Sequence, residues 1–267
     1  GPGAILNIGM NDRKFSELCE SHGETAAATL YLRFINAYAT HVARLDPDAF
    51  DDPETPTAGD VMKALTTYCD EADEPFPQEV DVQLAHVLRS MARAWEGTSA
   101  RLLRQAKGAP ADAGLGLVVQ AMAIGVGRGE CGSGVIQFAS SDTGLPEIHG
   151  RYLRQSQGRE ALDRQVGSLY LTKDPRGPSF EETCPEAFKQ LLDYSVLARQ
   201  RLREEMQIEF TLESGKLAIL DAVRIVRSSS AAVHIAVDLA RDGIIPREDA
   251  LMRVDPKALS ELLHRQV

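Results

Sequence analysis

The 267-residue sequence has no apolar run that approaches the ~20 residues needed to cross a bilayer. A membrane-spanning helix is therefore not expected. Cysteine is sparse: Cys19, Cys69, Cys131 and Cys184 lie far apart, with no Cys-x-x-Cys or Cys/His spacing. That pattern gives no support to a zinc site and reads as free thiols in a reducing compartment. The start, Gly1-Pro2-Gly3-Ala4-Ile5-Leu6-Asn7, lacks the basic stretch and apolar core of a secretory leader. A cytoplasmic location is expected. Positive charge is in deficit, with 29 Lys and Arg against 39 Asp and Glu, a net charge of −10 and a pI near 5.1. The balance argues against nucleic acid and anionic membranes as main partners, and leaves open a local basic pocket for a phosphate. The six histidines are isolated, none near a cysteine or acid at nucleophile or metal spacing. No residue is assigned as catalytic.

What is present reads as two regions. Hydrophobic content of 43% and charged content of 25% are ordinary globular values. The length suits one large domain or two small ones. Residues 10–107 are mainly helical in pattern. Leu30, Phe34, Ala37, Tyr38 and Val42 recur at helical spacing within Glu24–Arg44. After an acidic, proline-bearing loop, Ala58 to about Asp70 reads as a helix, and Asp81 to Lys107 as one long amphipathic helix. Its stripe of Leu84, Val87, Leu88, Met91 and Trp95 points to the core, and Arg89, Arg93, Arg101 and Arg104 to a solvated face. From Gly108 glycines alternate with apolar runs. Strands are expected near Leu115–Val126, Gly134–Ala139 and Glu147–Gln155, with a short one in "GSLYLT". A helix over Pro185–Met206, a hairpin turning at Ser214-Gly215, and helices from Ser228 onward complete the chain. The division expected is 1–107 and 108–267, helical first and α+β second.

Two stretches carry possible chemistry. "GVGRGECGSG", Gly125–Gly134, suits either a phosphate cradle, since glycine lets backbone N–H groups approach an anion, or a tight hairpin turn. The turn is favoured, because no Walker lysine pattern is present and a strand follows where a Rossmann fingerprint needs a helix. In "MQIEFTLESGKLAILDAVRIV" the hairpin sets Glu209 in one arm and Asp221 inside an apolar second arm. A buried carboxylate is costly unless it is paired, hydrogen-bonded or metal-bound. Either Asp221 pairs with an arginine such as Arg224 or Arg227, or it joins Glu209 on one sheet face and the two acids hold Mg²⁺. A one-residue difference in register would put them on opposite faces.

Several stretches together resemble pyruvate, phosphate dikinase. They are "ILNIGMND" (Ile5–Asp12), "YLRFINAY" (Tyr31–Tyr38), "FPQ" (Phe76–Gln78), "IEFTLESGKLAIL" (Ile208–Leu220) and "AAVHIAVDLARDGIIPREDALMRVDPKALSELLH" (Ala231–His264). The resemblance is to the family's N-terminal nucleotide-binding part, and it implies a helical subdomain followed by an ATP-grasp-like α+β subdomain with a mainly antiparallel sheet. It implies ATP and Mg²⁺ as cofactors. Arg33 matches an arginine expected at the ATP phosphates, and Glu209 an acid expected near Mg²⁺ and phosphate. Asp221 is a second candidate metal ligand.

The pattern then departs from the family. Leu-Gln-Thr-Arg, whose Gln and Arg contact nucleotide, is replaced by Leu220-Asp221-Ala222-Val223. Thr-Arg-Asn-Pro is replaced by Phe138-Ala139-Ser140-Ser141, and a Gly-Glu pair by Gly150-Arg151. Gln-Gly-Glu-Asp is replaced by Gln157-Gly158-Arg159-Glu160. Phosphoryl transfer relies on placed cations and metal ligands, and losing one such donor raises the barrier by ~3 kcal/mol. The sequence therefore points to a nucleotide-binding domain with a degenerate ATP site, inactive on its own. The alternative is the ATP-binding part of an active phosphotransferase whose other domains lie outside this chain. The ligand expected is a nucleotide or other small anion.

Overall fold

The computed structural model describes residues 3–110, 112–163 and 166–263. His264 and the end of the expected last helix lie outside them. The chain forms two compact units, Gly1–Met122 and Ala123–Val267. No helix among the described residues is long and apolar enough to cross a membrane.

The first unit is helical: α1 (Asp12–His22), α2 (Glu24–Tyr38), α3 (Ala58–Ala72), α4 (Val80–Glu96) and α5 (Thr98–Ala106). Local signals set the helix starts. The Asn11 side chain accepts a hydrogen bond from the Lys14 N–H at 2.8 Å, and Thr57 with Asp60 forms a reciprocal capping box on α3. The buried side of α2 presents Leu30, Tyr31, Phe34, Ile35 and Tyr38. Phe76 packs edge-on against Phe34, Tyr38 and Tyr68, with ring centroids 5.7, 5.2 and 5.3 Å away, an arrangement that aromatic quadrupoles favour.

The long helix expected over Asp81–Lys107 is two helices. Gly97 separates them in an extended conformation (φ −58°, ψ 141°), consistent with the entropic cost of glycine inside a helix. Trp95 is half-buried, not a core residue. The Arg104 guanidinium lies 3.7 Å from its ring centroid, a cation–π contact in place of the solvated position expected for that arginine. The strand expected near Leu115–Val126 is absent: this stretch forms no ladder, and Val118 and Val119 are exposed. Its sequence lacks the strict alternation that would bury one face and expose the other.

The second unit contains one antiparallel sheet in the order β2-β1-β3-β4, formed by β1 (Gly132–Ala139), β2 (Pro146–Arg154), β3 (Met206–Glu213) and β4 (Lys216–Arg224). With the helices it makes the α+β fold expected. "GSLYLT" contributes only isolated bridges, Tyr152 with Leu169 and Tyr170 with Ser179. Short helices α6 (Glu160–Asp163) and α7 (Phe180–Thr183) precede α8 (Pro185–Leu202). One sheet face packs with α7 and α8 in a core of Ile136, Tyr152, Phe180, Leu191, Ile208, Phe210 and Leu212. A second cluster, with Ile225, Ile235, Leu239 and Ile245, lies around α9 (Ser229–Arg241), followed by α10 (Arg247–Met252) and α11 (Pro256–Leu263). The β3–β4 turn has positive φ at both Ser214 and Gly215, +48° and +81°, as a two-residue hairpin loop matching strand twist requires.

Two substitutions separate the sheet's faces. Phe210→Ala removes a fully buried ring and lowers stability by about 3–5 kcal/mol in equilibrium urea unfolding. On the other face, the Thr211 hydroxyl is buried and has no hydrogen-bond partner among the described residues. Thr211→Val keeps the shape and raises stability by about 1 kcal/mol. A lower urea midpoint for Thr211→Val would mean that a water satisfies the hydroxyl.

Candidate functional site

The register of the hairpin decides where its acids point. From Glu213↔Lys216 to Phe210↔Ile219 the β3–β4 ladder is regular. Continued unbroken, it would set Asp221 opposite Ile208, in the apolar core. The register instead shifts between Phe210 and Glu209, leaving Leu220 as an extra residue, and Asp221 faces Glu209. Ala222 takes the place opposite Ile208 and packs against the core. Directly opposed residues share a face, so the reading that separates the two acids onto opposite faces does not hold.

Glu209 also faces Val135, and Val135 faces Arg151. Arg151, Val135, Glu209 and Asp221 thus form a row across all four strands, on the side away from Ile208 and Phe210. Glu209 is 6% exposed, and its Oε1 lies 3.3 Å from Nε of Arg159. Burial pushes the Glu209 carboxyl above its usual range, the Arg159 charge pulls it down, and Asp221 raises it again. Asp221 is exposed, and its Oδ1 accepts a hydrogen bond from the Ala222 N–H at 2.8 Å. Arg151 donates to the carbonyl oxygens of Ala161 and, at 3.0 Å, Leu162. That hook holds α6 against β1 and β2, just after the loop that delivers Arg159.

The expected pairing of Asp221 with Arg224 or Arg227 is corrected. Both arginines bind Glu204, Arg224 at 3.0 Å and Arg227 at 2.9 Å, and Arg253 adds a third contact at 3.4 Å. Glu204 follows α8 in a short turn, and nothing in its sequence neighbourhood marks it as a charge hub. Arg33 is half-buried on α2, in the first unit, while Glu209 and Asp221 belong to the second. Among the described residues no group of three or more His, Cys, Asp or Glu could hold a metal ion. The acid pair therefore offers a cation two carboxylates.

The glycine-rich stretch is not a hairpin turn, because no strand precedes it. It is stitched to other loops. The Gly127 N–H donates to Gln155 Oε1 at 2.9 Å, and Gln155 Nε2 donates back to the Gly127 carbonyl at 3.0 Å. Ser214 Oγ donates to the Arg128 carbonyl at 2.9 Å. A Cβ on Gly125 would stand 1.9 Å from the Ser156 carbonyl oxygen, so close backbone approach accounts for that glycine.

No family model matches the chain. Among curated proteins, pyruvate, phosphate dikinase of Rhizobium meliloti is 30% identical over 285 residues, an alignment that takes in 97% of this chain. Over nearly its whole length the chain is similar to pyruvate, phosphate dikinase. The Clostridium symbiosum protein of that name is 29% identical over 279 residues, and the chloroplastic one of Mesembryanthemum crystallinum 26% over 280. The chain spans about a third of their length: 32% of the first, 31% of the second and 29% of the third. The stretches that carry the pyruvate, phosphate dikinase resemblance fall in both units, Ile5–Asp12 in the first and Ile208–Leu220 in the second.

The row of charges makes a titration prediction. Asp221→Asn lowers the pKa of the Glu209 carboxyl and Arg159→Gln raises it, as followed by carbon-detected NMR. Because the folded-state value is raised, the stability associated with Glu209 is fully present below its unfolded pKa and is lost as pH rises through the folded one. Glu209→Gln is therefore stabilising at pH 7, and the gain fades as pH falls through the raised folded-state pKa and is gone below the unfolded value of about 4.3. A gain that persists unchanged in acid would refute this account.

Proposed function

We propose that this chain is the nucleotide-binding part of a pyruvate, phosphate dikinase-like protein, with an ATP site too altered to transfer phosphoryl groups by itself. The observation that carries the reading is the ion pair of Arg159 with Glu209. By the family resemblance Arg159 stands where an acid is expected, and Glu209 where an acid near Mg²⁺ and phosphate is expected. Here a guanidinium 3.3 Å from Glu209 supplies the positive charge that a metal would supply. Oxygen donors suit Mg²⁺, and Glu209 with Asp221 are the residues that would hold it, but Arg159 must leave for the cation to enter. Asp221 adds an exposed negative charge where the resemblance implies a neutral amide against nucleotide. Without a cation beside it, that charge repels phosphate.

Arg33 and Glu209 are the residues retained for nucleotide, and they support the second reading, an ATP-binding part of an active phosphotransferase. What ATP or Mg²⁺ supplies when bound is the transferable phosphoryl group and its charge neutralisation. The chain's own residues orient and balance charge around it. The same proposal takes a nucleotide or other small anion as the ligand class and the cytoplasm as the location.

Calorimetry and thermal shift with MgATP separate the two readings. The expected result is no saturable heat and no stabilisation at millimolar nucleotide, where a site whose Kd lies 100-fold below the nucleotide concentration would add about 2.7 kcal/mol. Arg159→Ala is expected to gain a Mg²⁺-dependent shift that the Arg159→Ala, Glu209→Gln double variant lacks. Micromolar MgATP binding by the unmodified chain, weakened by Arg33→Ala or Glu209→Gln, would overturn the degenerate-site reading.

A further inference from the structure

A cleft of about 660 Å³ in the second unit shares no residue with the acid pair. One wall is the β1–β2 connection with the start of β2, and the other is α9. Gly144 makes the connection fit: φ is +74°, and a Cβ there would stand 2.5 Å from the Ala231 carbonyl oxygen. The loop therefore rests directly on the first turn of α9, which Ser228 caps by accepting from the Ala231 N–H at 3.0 Å. Three apolar side chains of the lining stay in solvent, Leu145 at 54% exposure, Ile148 at 41% and Val237 at 45%.

The polar lining is unbalanced in sign. Glu147, Glu205, Asp238 and Asp242 face two guanidiniums, Arg199 and Arg241, and four carboxylates less two guanidiniums leave two negative charges. Both cations are already engaged. Arg199 binds Glu205 and, at 2.7 Å, Asp242, and Arg241 binds Asp238 at 3.0 Å. A nucleotide or other anion would meet this surplus without a cation free to receive it. A cationic ligand with an apolar side meets both features. Glu205 is buried against Arg199, so Glu147, Asp238 and Asp242 form the rim. Exposed apolar side chains within that acidic rim match the helix-in-groove mode, where apolar anchors give affinity and rim charges give orientation.

We propose that this cleft docks a basic, amphipathic segment of another polypeptide, with its apolar side on Leu145, Ile148 and Val237 and its Lys or Arg side chains against the acidic rim. The site is independent of whether nucleotide binds at Glu209.

The test uses two fluorescently labelled helical peptides of equal length, one of Leu and Lys and one of Leu and Glu, with anisotropy read at physiological salt. The expected outcome is saturable binding of the Lys peptide alone. Val237→Asp and Leu145→Asp each weaken it at least tenfold, although each adds a negative charge. Unchanged circular dichroism and melting temperature verify the fold of both variants, whose parent side chains are half in solvent. If Val237→Asp binds the Lys peptide as well as the unmodified chain does, general attraction to an acidic protein explains the result and the proposal fails. It fails too if neither peptide binds. A dimer seen by light scattering and dissolved by Val237→Asp would make a second copy the occupant, against the proposal.

Discussion

Leu220 is the extra residue in β4, and it moves Asp221 from the apolar core to the face that carries Glu209. An ionised aspartate opposite Ile208 would be desolvated by Phe210, Tyr152 and Leu191 with no partner, a cost of several kcal/mol. The bulge avoids that cost and brings a second carboxylate beside a buried glutamate. The surrounding charges are consistent with this arrangement. Arg159 approaches Glu209, and Arg151 holds the segment that bears Arg159 against the sheet. The site's character is thus a consequence of backbone register before it is one of side-chain chemistry.

Arginine in the second unit is largely committed to local acids. Arg224, Arg227 and Arg253 converge on Glu204, and Arg203 binds Asp249. These contacts tie the end of α8, the start of β3, the segment after β4, and α10 into one network. Positive charge in this network is used for fastening segments to one another.

Much of the fold was legible in the residues. Helical spacing located α2, the residue pattern placed α3 and α8, although α8 stops at Leu202 and Met206 opens β3, and the Ser214-Gly215 turn located the hairpin, because these signals are local. The failures have physical causes. Gly97 divides a helix that periodicity alone reads as continuous, since the hydrophobic stripe runs on past it. The stretch near Leu115–Val126 has β-branched composition but no partner strand, and a ladder needs two. Trp95 reads as core by its position in the stripe, yet Arg104 covers its ring.

The sequence by itself determined the α+β order, the helix caps and the hairpin, because each depends on neighbours in the chain, and it carries the similarity to pyruvate, phosphate dikinase. It also supplied Glu209 and Asp221 as candidates. Only the tertiary structure decided that they share a face, that Arg159 pairs with Glu209, and that Arg224 and Arg227 turn to Glu204. Those outcomes depend on a single-residue bulge and on contacts between segments far apart in sequence, and side-chain spacing along one strand carries no record of either.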